Sequence, residues 1–509
     1  MMSQARDSGV QTLGSLLDGL LGASASVPGA AEIPVAGLCN DSRRVRPGDL
    51  FVAESGLGRP GVDYAADALD AGAIAVLYDA ADDYARERVA LLQRQYPQPW
   101  IGLSELRARV GEIASRFHQY PSLAYRLIGV TGTDGKTSVT HLLVQALQRL
   151  GWHPGSIGTL GYGQPGELLP TGYTTPDALR LQAMLSDLRH QGCDAVVMEV
   201  SSHALDQQRV GGCAFDIAVL TNLGQDHLDY HGDRARYAAA KARLFELPGL
   251  SLRVLNLDDE LGGELAQRHA AASTIGYSSR GDERARVRLI DSSLDRRGLR
   301  LRVDCDGEIL RIDSGLVGRF NIENLLACIA AMRGLEIAPV EIERSLQRLS
   351  PIPGRMEFFP AVDGKPAVVI DFAHTEQALE ACLESLRGFC SGRLFCVFGC
   401  GGDRDRGKRP KMAAVAERLA DEIIVTDDNP RDESPERIMQ DILRGFADPQ
   451  RVRVIHDRQT AIETALAQAT EQDLVLIAGK GHEQVQIVGD KRLPFSDRRV
   501  VLQLLEAGA

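Results

Sequence analysis

The stretch Arg126-Leu-Ile-Gly-Val-Thr-Gly-Thr-Asp-Gly-Lys-Thr-Ser-Val-Thr140 decides the fold of the region around it. A short apolar run predicts a strand, the glycines at 129, 132 and 135 predict a tight loop, and the residues from Lys136 onward predict a helix. Such a loop turns backbone N–H groups toward a phosphate, and the positive end of the helix adds to the attraction. Lys136 would lie near the β- and γ-phosphates, and Thr137 or Ser138 could reach Mg²⁺. Val130 stands where a strict P-loop has glycine, but the strand–loop–helix context still predicts a nucleoside triphosphate site.

Length, charge and cysteine usage set the broad class of the protein. A chain of 509 residues is too long for one hydrophobic core and predicts about three domains. The formal net charge of −12 argues against nucleic acid or an anionic membrane as a partner. The nine cysteines form no CxxC pair, which is typical of a reduced, cytoplasmic protein, and no apolar run is long enough to insert into a membrane. With no exposed interaction segment visible, we expect a monomer.

Apolar runs that alternate with helical patterns predict two doubly wound parallel sheets. The first set of runs is 127–130, 195–200, 217–220 and 254–257, and the second is 368–370, 394–398, 423–425 and 474–477. The segment Pro351-Ile-Pro-Gly354 cannot continue a helix and marks a boundary. We therefore predict an α/β fold with three domains. These are a smaller N-terminal α/β domain (1–104), a central P-loop-type ATPase domain with a mainly parallel sheet (105–351), and a C-terminal Rossmann-like domain (352–509).

Charged residues follow two strands of the predicted central sheet, where ligands of open α/β sheets bind. Glu199 is a suitable Mg²⁺ ligand because this ion prefers carboxylate and water. His227 would be an unusual Mg²⁺ ligand and, taken singly, fits a structural histidine better. The acidic residues and histidine at 226, 229 and 231 favour a metal–phosphate site nevertheless. Lys241, on a predicted helix, is by itself typical of a solvated surface lysine.

Charged turns also follow three strands of the last predicted domain. Arg404 lies in a glycine-rich turn that fits either a flexible surface loop or recognition of a carboxylate. The turn Asp428-Asn-Pro-Arg431 combines an amide donor with a guanidinium group, and Glu483 could hold a substrate ammonium. Together these residues predict a pocket for a zwitterion such as an amino acid.

The motifs, taken in order, resemble those of the Mur ligases, the ATP-dependent amide-forming enzymes of peptidoglycan precursor synthesis. The resemblance covers nearly the whole chain. It rests on Asp41-Ser-Arg43, Gly132–Thr137, Thr174-Thr175, Met198–His203, Thr221–Gly232, Ala240-Lys241, Phe320-Asn321 with Asn324, Gly354-Arg355, Asp371–Thr375, Gly402–Arg404, Asp428–Arg431 and Gly479–Glu483. The chain departs from the common family pattern at Asp134, Phe372 and Glu376, and none of these changes removes a residue assigned to the chemistry.

The resemblance implies an ATP-dependent ligase with small-molecule substrates. It would join meso-2,6-diaminopimelate to the D-Glu carboxylate of UDP-N-acetylmuramoyl-L-Ala-D-Glu through an acyl phosphate, releasing ADP and phosphate. Mg²⁺ would be the cofactor, and Lys241 would carry a carbamate derived from CO₂. Arg431 favours diaminopimelate over lysine as the added amino acid, because the second carboxylate of diaminopimelate needs a cation.

The resemblance also assigns site residues. The catalytic residues would be Lys136, Glu199, His227 and Lys241, and the metal would be held by Thr137, Glu199, His227 and Lys241 as its carbamate. ATP would be bound by Gly132, Thr133, Asp134, Gly135, Lys136, Thr137, Ser138, Asn321, Asn324, Arg355, Asp371 and His374. The UDP-muramoyl dipeptide would be bound by Ser42, Thr174, Thr175, Ser201, Gln207 and Arg209. Diaminopimelate would be bound by Arg404, Asp428, Asn429, Pro430, Arg431, Gly479 and Glu483.

Two other interpretations stay open at this point. One is an enzyme of the same fold that adds a different amino acid, or a folylpolyglutamate synthetase, against which Arg431 and the motif around Glu483 argue. The other is a nucleotide-binding regulator or scaffold that has lost catalysis. The joint presence of the four predicted catalytic residues argues against it, and a turnover measurement distinguishes the two.

Overall fold

The computed structural model describes residues 11–21, 31–55, 58–224, 226–269, 273–295, 298–347, 349–362, 364–388 and 390–506. The chain divides into two compact units. The first comprises Met1–Thr140, Gly151–Leu255 and Asp259–Thr274, and the second comprises His141–Leu150, Asn256–Asp258 and Ile275–Ala509. The boundaries expected after residues 104 and 351 stay predictions. Within the described ranges, no helix combines the length and apolar character needed to cross a membrane.

The first unit begins with a four-stranded parallel sheet of order β1-β2-β3-β4. Its strands are β1 (Gly37–Cys39), β2 (Asp49–Ala53), β3 (Ala75–Asp79) and β4 (Trp100–Leu103). Its helices are α1 (Leu13–Leu17), α2 (Ala65–Asp70), α3 (Asp83–Leu92) and α4 (Leu106–Phe117). Side chains alternate across β2, so Leu50 and Val52 pack on one face while Phe51 packs on the other. Helices cover both faces, which explains why β2 reads as a continuous apolar run.

A second sheet of the first unit has the order β10-β9-β5-β8-β6-β7, parallel except for β7. Its strands are β5 (Arg126–Thr131), β6 (Pro154–Gly158), β7 (Gly161–Gly163), β8 (Ala195–Glu199), β9 (Ile217–Leu220) and β10 (Leu252–Asn256). The helices along this part of the chain are α5 (Lys136–Arg149), α6 (Ala178–His190), α7 (Ser202–Asp206), α8 (Leu228–His231), α9 (Arg234–Ala242) and α10 (Glu260–Arg268).

The register of this sheet brings three strand ends together. Val130 pairs with Glu199, and Thr131 pairs with Leu220, so the carboxyl ends of β5, β8 and β9 are neighbours. The predicted runs at 127–130, 195–200, 217–220 and 254–257 match β5, β8, β9 and, with a shift of two residues, β10. The prediction of a mainly parallel central sheet is confirmed.

The second unit contains a β-meander that the sequence did not predict. After β11 (Thr274–Ser278), which pairs in parallel with β12 (Val287–Asp295), strands β13 (Gly298–Cys305) and β14 (Glu308–Ser314) follow in antiparallel register. Buried and exposed positions alternate along β13 and β14, which is typical of a sheet with one solvated face. Helices α11 (Asn321–Gly334) and α12 (Pro339–Leu346) pack against these strands.

The rest of the second unit is a doubly wound sheet of order β15-β16-β20-β17-β18-β19, parallel except for β15. Its strands are β15 (Glu357–Phe359), β16 (Ala367–Asp371), β17 (Leu394–Phe398), β18 (Glu422–Val425), β19 (Arg453–Val454) and β20 (Leu474–Ala478), and a hairpin of β21 (Val485–Val488) and β22 (Lys491–Pro494) follows. The helices are α13 (Glu376–Arg387), α14 (Lys408–Leu419), α15 (Pro435–Leu443), α16 (Arg458–Gln468) and α17 (Asp497–Glu506).

Two apolar cores lie on the two faces of this sheet. Val369 and Leu476 belong to one core, and Ile370 and Ile477 belong to the other, as the period-two alternation of a strand requires. The four predicted runs lie within β16, β17, β18 and β20. Because these strands are parallel neighbours, the turns after Asp371, Phe398, Val425 and Ala478 emerge at one edge, and the predicted Rossmann-like fold is confirmed.

Candidate active site

The phosphate loop connects β5 to α5 as the sequence predicts. Gly132 and Gly135 have φ angles of 151° and 81°, which L side chains rarely adopt. A Cβ atom at Gly132 would also fall 1.8 Å from Oγ1 of Thr221. The Nζ atom of Lys136 donates hydrogen bonds to the carbonyl oxygens of Gly132 and Thr133, both at 2.8 Å. The loop therefore holds a lysine ammonium against its own backbone at the start of a helix.

The segment after β9 fixes the loop from the side. Thr133 N donates to the carbonyl oxygen of Asn222 at 2.9 Å, and Asp134 N donates to Asn222 Oδ1 at 3.0 Å. Thr221 Oγ1 donates to the carbonyl oxygen of Asp134 at 2.6 Å. Ser138, in the first turn of α5, is buried. The segment after β9 thus fixes the backbone of the loop at Thr133 and Asp134.

Glu199 is a buried carboxylate at the end of β8, with 1% of its surface exposed. Its Oε2 atom accepts hydrogen bonds from Thr137 Oγ1 at 2.9 Å and from Thr159 Oγ1 at 3.1 Å. Its Oε1 atom accepts from Thr159 N at 2.8 Å. This carboxylate and the Thr137 hydroxyl are hard oxygen donors beside a phosphate loop, which suits Mg²⁺.

Lys241 is buried and is not the solvated surface lysine that its helix suggested. Only 1% of it is exposed, and its Nζ donates to the carbonyl oxygen of Gly132 at 2.7 Å. The Nζ atom lies 4.4 Å from the ring centre of Tyr237. Burial, assisted by the charge of Lys136, holds the pKa of the Lys241 amine well below its usual range. The side chain is therefore an unusually weak base next to the phosphate loop.

His227 lies near these lysines, on a strained backbone. Its φ is 54°, in the left-handed region, and its backbone N–H donates to Asp226 Oδ1 at 2.8 Å. Its ring packs edge-on against His203 at 4.7 Å, and burial lowers the pKa of His227. Among the residues that the structure describes, no three His, Cys, Asp or Glu side chains are grouped to hold a metal ion. The predicted metal set contains two side chains of these types, Glu199 and His227, and stays a prediction.

Three residues predicted to hold the muramoyl dipeptide adjoin Glu199. Thr175 Oγ1 donates to the main-chain carbonyl oxygen of Glu199 at 2.9 Å and accepts from Ser201 N at 3.0 Å. Thr174 Oγ1 lies 3.1 Å from Oγ1 of Thr159, which itself bonds to the Glu199 carboxylate. The end of β8 therefore links these residues to the phosphate loop.

Gln207 and Arg209 complete this group. Arg209 donates from NH1 to the carbonyl oxygen of Thr175 at 2.9 Å, and from Nε and NH2 to Gln207 Oε1 at 3.0 and 2.6 Å. Ser42 lies elsewhere, at the start of the 3-10 helix Ser42–Arg44 after β1. The described hydrogen bonds bring together five of the six predicted residues and do not include Ser42.

Asn321 and Asn324 begin α11 in the second unit. Asn321 Nδ2 donates to the carbonyl oxygen of Val317 at 2.7 Å, and Asn324 Nδ2 donates to Asn321 Oδ1 at 2.9 Å. Both side chains are buried. The side-chain amide of Asn321 is therefore held by a backbone carbonyl oxygen, and it in turn holds the amide of Asn324.

Arg355, Asp371 and His374 are arranged around the end of β16. The carboxylate of Asp371 accepts hydrogen bonds from two backbone N–H groups at 2.7 Å, and burial raises its pKa. The guanidinium of Arg355 lies 4.6 Å from the ring centre of Phe372, and its buried Nε has no hydrogen-bond partner among the described residues. His374 Nδ1 lies 2.9 Å from the carbonyl oxygen of Phe372. These predicted ATP residues lie in the second unit, whereas the phosphate loop lies in the first.

The side chains of Asn429 and Glu483 bond to each other and to Lys480, which the sequence analysis did not select. Asn429 Nδ2 donates to Glu483 Oε2 at 2.8 Å, and Lys480 Nζ donates to the same oxygen at 2.8 Å. Lys480 Nζ also donates to Asn429 Oδ1 at 3.0 Å. Lys480 has no exposed surface. It lies between the glycines of a selected motif, but a sequence does not show that a lysine is buried.

Asp428 and Gly479 lie side by side, although β18 and β20, the strands they follow, are separated in the sheet by β17. Gly479 has a φ of 113°, and a Cβ atom there would fall 2.7 Å from Asp428 Oδ2. Asp428 is buried, and this burial raises its pKa despite the opposing charges of Arg458 and Lys480. The turn continues at Pro430, whose carbonyl oxygen accepts from the N–H of Glu433 at 3.2 Å.

Arg431 has a left-handed backbone with a φ of 53°. Its N–H donates to the carbonyl oxygen of Ile487 at 3.1 Å, and its own carbonyl accepts from Gly489 N at 2.8 Å. Its guanidinium donates to the carbonyl oxygen of Gly402 at 2.8 Å. Arg404 is exposed, and its guanidinium donates to the neighbouring carbonyl oxygen of Asp403 at 3.4 Å. The structure thus joins the two turns but does not bring the two guanidinium groups into contact.

Two arginines behind this edge are buried; Arg409 belongs to the charged turn of Arg404, and neither arginine was assigned to the pocket. Arg409 bonds to Glu433 at 2.7 and 3.0 Å and to Asp441 at 2.9 Å, and it donates to the carbonyl oxygen of Gly401 at 3.1 Å. Arg458 forms two 2.8 Å bonds with Asp497 and one of 2.9 Å to the carbonyl oxygen of Ala478. In sequence, neither arginine differs from those on exposed helix faces.

Three family models match successive parts of the chain. They describe a Mur ligase family catalytic domain (residues 34–118), a Mur ligase middle domain (130–332) and a Mur ligase glutamate ligase domain (354–481).

Curated relatives match over most of their length. A protein of Xanthomonas campestris pv. campestris is 51% identical over 477 residues, which are 94% of this chain and 95% of that one. A protein of Alkalilimnicola ehrlichii is 49% identical over 487 residues, which are 94% and 97% of the two chains. Both are named UDP-N-acetylmuramoyl-L-alanyl-D-glutamate–2,6-diaminopimelate ligase.

Solved structures are also similar to this chain. One with that ligase name has a TM-score of 0.69 and 34% identity, over 98% of this chain and 99% of its own. MurF of Acinetobacter baumannii (TM-score 0.60, 16% identity, 93% of each chain) shares the fold. So does folylpolyglutamate synthase of Mycobacterium tuberculosis (TM-score 0.60, 19% identity, 78% of this chain and 96% of that one).

Proposed function

Since the chain belongs to the Mur ligase family, whose members are ATP-dependent amide-forming ligases, we propose that it adds meso-2,6-diaminopimelate to UDP-N-acetylmuramoyl-L-Ala-D-Glu in peptidoglycan precursor synthesis. Relatives that are 51% and 49% identical to this chain are named as ligases for these substrates, which supports the assignment. The three-domain α/β fold predicted from the sequence agrees with the three successive family models.

One observation carries the proposal, namely that Glu199 joins two proposed binding sites. Its carboxylate accepts from Thr137 of the phosphate loop, and its main-chain carbonyl accepts from Thr175 of the proposed acceptor site. ATP and the acceptor would therefore approach each other across one buried residue. This is the arrangement that transfer of a phosphoryl group between two anionic substrates needs.

In the proposed reaction, a carboxylate oxygen of D-Glu attacks the γ-phosphorus of ATP, the bond to ADP breaks, and an acyl phosphate forms. The amine of diaminopimelate then attacks the acyl carbon, loses a proton, and expels phosphate. Lys136 would offset charge on the phosphates, while Arg209 and Thr175 would hold the acceptor. Alignment of the reactants supplies about 7–11 kcal/mol of such barriers in the best cases.

The residues present fit the proposed Mg²⁺ and carbamate. Thr137, Glu199 and His227 would hold Mg²⁺ together with a carbamate on Lys241, and the metal would neutralise charge between the two anionic substrates. The fit rests on the oxygen pair of Thr137 and Glu199, 2.9 Å apart, and on the buried Lys241 amine. A neutral amine can bond to the carbon of CO₂ and lose a proton, and burial, which lowers the pKa of this amine, favours its neutral form.

Diaminopimelate would bind at the edge formed by the turns after β17, β18 and β20. Glu483 and Asp428 would face its ammonium, while Arg431 and Arg404 would face its carboxylate. An unmatched buried charge costs about 2–5 kcal/mol, which is enough to select diaminopimelate over lysine. The nine cysteines include no CxxC pair, which supports a reducing compartment, and we propose a cytoplasmic monomer. Sedimentation that gave a stable dimer would contradict the monomer.

Phosphate release tests the proposed function. The purified chain is given Mg²⁺, ATP and UDP-N-acetylmuramoyl-L-Ala-D-Glu, with either meso-diaminopimelate or L-lysine. We expect release with diaminopimelate alone, and loss of this release in Arg431→Ala. Arg437→Ala, which truncates an exposed arginine on α15, is the matched control and should behave as the wild type. Release with lysine would instead indicate a ligase for another amino acid, and no release with either would indicate a regulator.

A further inference from the structure

Lys480 is a buried cation whose bonds all stay inside the protein. It is 0% exposed, and its Nζ atom is 2.8 Å from Glu483 Oε2 and 3.0 Å from Asn429 Oδ1. A carboxylate oxygen of Asp428 lies 3.9 Å away. A buried lysine is costly unless it is paired, so these contacts are what stabilise it. Lys480 therefore cannot reach a ligand without breaking this network.

The network leaves one oxygen of Glu483 for a ligand. Oε2 accepts two hydrogen bonds, from Lys480 and from Asn429. No hydrogen bond to Oε1 is found among the residues that the structure describes, and 29% of the side chain is exposed. Asn429 is itself fixed, because its Oδ1 accepts from Lys480 and from Ile487 N at 2.9 Å. Oε2 is thus anchored, while Oε1 of this partly exposed side chain has no described hydrogen-bond partner.

The groups around Glu483 are suited to a cationic ligand group. Asp428 and Glu483 contribute two carboxyl groups and Lys480 one ammonium, while Arg458 and Asp497 neutralise each other through two 2.8 Å bonds. The neighbouring His482 adds no charge near neutral pH, because burial lowers its pKa to about 4. The carboxyl groups outnumber the ammonium, which favours binding of a substrate ammonium.

We propose that Lys480 is a positioning residue that anchors Oε2 of Glu483 and the amide of Asn429, so that Oε1 of Glu483 receives the ammonium group of the incoming amino acid. The inference deepens the proposed function and rests on it. Lys480 does not touch the substrate. Burial raises the pKa of the Glu483 carboxyl, but the charge and hydrogen bond of Lys480, together with the hydrogen bond from Asn429, hold it below its usual range. Without Lys480, burial would dominate and Glu483 would take up a proton at a higher pH.

The test uses Lys480→Met, which keeps the length of the side chain and removes its charge. The Michaelis constants for diaminopimelate and ATP and the turnover number are measured between about pH 5.5 and 8.5. We expect the KM for diaminopimelate to rise about 10- to 100-fold, as loss of a charged hydrogen bond implies, with kcat and the KM for ATP within about twofold. The matched control, Lys491→Met on the exposed hairpin strand β22, should change neither.

The pH profile separates positioning from a merely structural role. In the wild type the KM for diaminopimelate should be flat at acid pH, because Glu483 stays ionised. In Lys480→Met it should rise further as the pH falls, and the double variant with Glu483→Gln should lose this dependence. A pH-independent rise in every KM together with a lower melting temperature would overturn the proposal, and so would an unchanged KM for diaminopimelate.

The wild type provides a measurement that does not depend on the folding of any Lys480 variant. An acid limb in its KM profile that disappears in Glu483→Gln would show that Lys480 does not keep this carboxylate charged, and would overturn the proposal. Failure of the proposed function is distinct from these outcomes, because the wild type would then release no phosphate in response to diaminopimelate at any pH.

Discussion

The buried pair of Arg409 and Glu433 gives a prediction that can be worked through in numbers. Arg409 has no exposed surface, and Glu433 has 4% of its side chain exposed. Two bonds of 2.7 and 3.0 Å join them, and Glu433 also accepts from Asp403 N at 3.3 Å. Arg409 donates to the carbonyl oxygen of Gly401 as well. The pair therefore holds the turn after β17 that carries Arg404.

Arg409→Met removes the cation and leaves Glu433 buried without its main partner. Breaking a buried ion pair in this way costs about 3–5 kcal/mol of unfolding free energy. For a unit of this size that corresponds to a fall in melting temperature of about 6–20 °C. The double variant Arg409→Met, Glu433→Gln should recover a large part of the loss. Because the turn after β17 loosens, we also expect a higher KM for diaminopimelate.

The pair also makes stability depend on pH. Hydrogen bonds from Arg409 lower the pKa of Glu433 from 4.5 to about 2. A carboxyl whose pKa is lower in the folded state stabilises the protein above its unfolded pKa and loses that effect as the pH falls through its folded pKa. The wild type should therefore lose part of its stability from this group as the pH falls from 4.5 to 2, and screening by solvent keeps the loss below the full value that the pKa shift implies. Glu433→Gln should lack this part of the acid dependence.

Calorimetric or denaturant unfolding of the whole chain measures both effects, with Arg437→Met on the exposed face of α15 as the control. A melting temperature for Arg409→Met within about 2 °C of the wild type would correspond to less than about 1 kcal/mol. That result, with an unchanged acid profile, would refute the argument that the pair is a buried and mutually dependent unit.

Three further changes test the first and second units. Lys241→Met should lower phosphate release at least about 100-fold. It should change the free energy of unfolding by only about 1 kcal/mol, because the loss of one hydrogen bond is offset by removal of a costly buried amine. The activity of the wild type should fall in CO₂-depleted buffer, and that of the variant should not. Thr137→Val removes a hydrogen bond to the Glu199 carboxylate and should raise the KM for Mg-ATP by a factor equivalent to about 1.5–3 kcal/mol, whereas an unchanged KM would argue against a shared metal site. Gly479→Ala should destabilise the chain by about 1–2 kcal/mol and raise the KM for diaminopimelate, because the new Cβ is strained and meets Asp428; normal values of both would contradict the geometry.

The sequence predicted the parallel sheets because their strands are buried on both faces. Residues 127–130 and 394–398 are unbroken apolar runs, and they became β5 and β17. The meander of β12, β13 and β14 was missed because only one of its faces is buried. Alternating polar residues there give a weak signal, and antiparallel pairing depends on contacts that a local pattern does not contain.

Candidate site residues could be predicted from the sequence where a recognisable motif follows an apolar strand. They could not be predicted where burial alone distinguishes the residue. The placement of the phosphate loop, Glu199 and Asn429 at or after the ends of apolar strands was predicted and is confirmed, whereas their roles stay predictions. The burial of Lys241 could not be predicted from its helix alone, because a lysine on a helix gives no sign of being enclosed. Lys480 was missed for the same reason, since its partners come together only when distant strands pair in register.

The left-handed backbone of Arg431 has a consequence for how this protein can change over generations. A non-glycine residue at a φ of 53° is less stable there than glycine, by about 1–2 kcal/mol. Arg431→Gly would therefore relax the turn while removing the guanidinium that the proposed selectivity needs. The Arg431→Gly variant would be more stable but would select less strictly for diaminopimelate. Selection for the correct cell-wall building block, acting against the conformational preference of the chain, would have to maintain an arginine at this position.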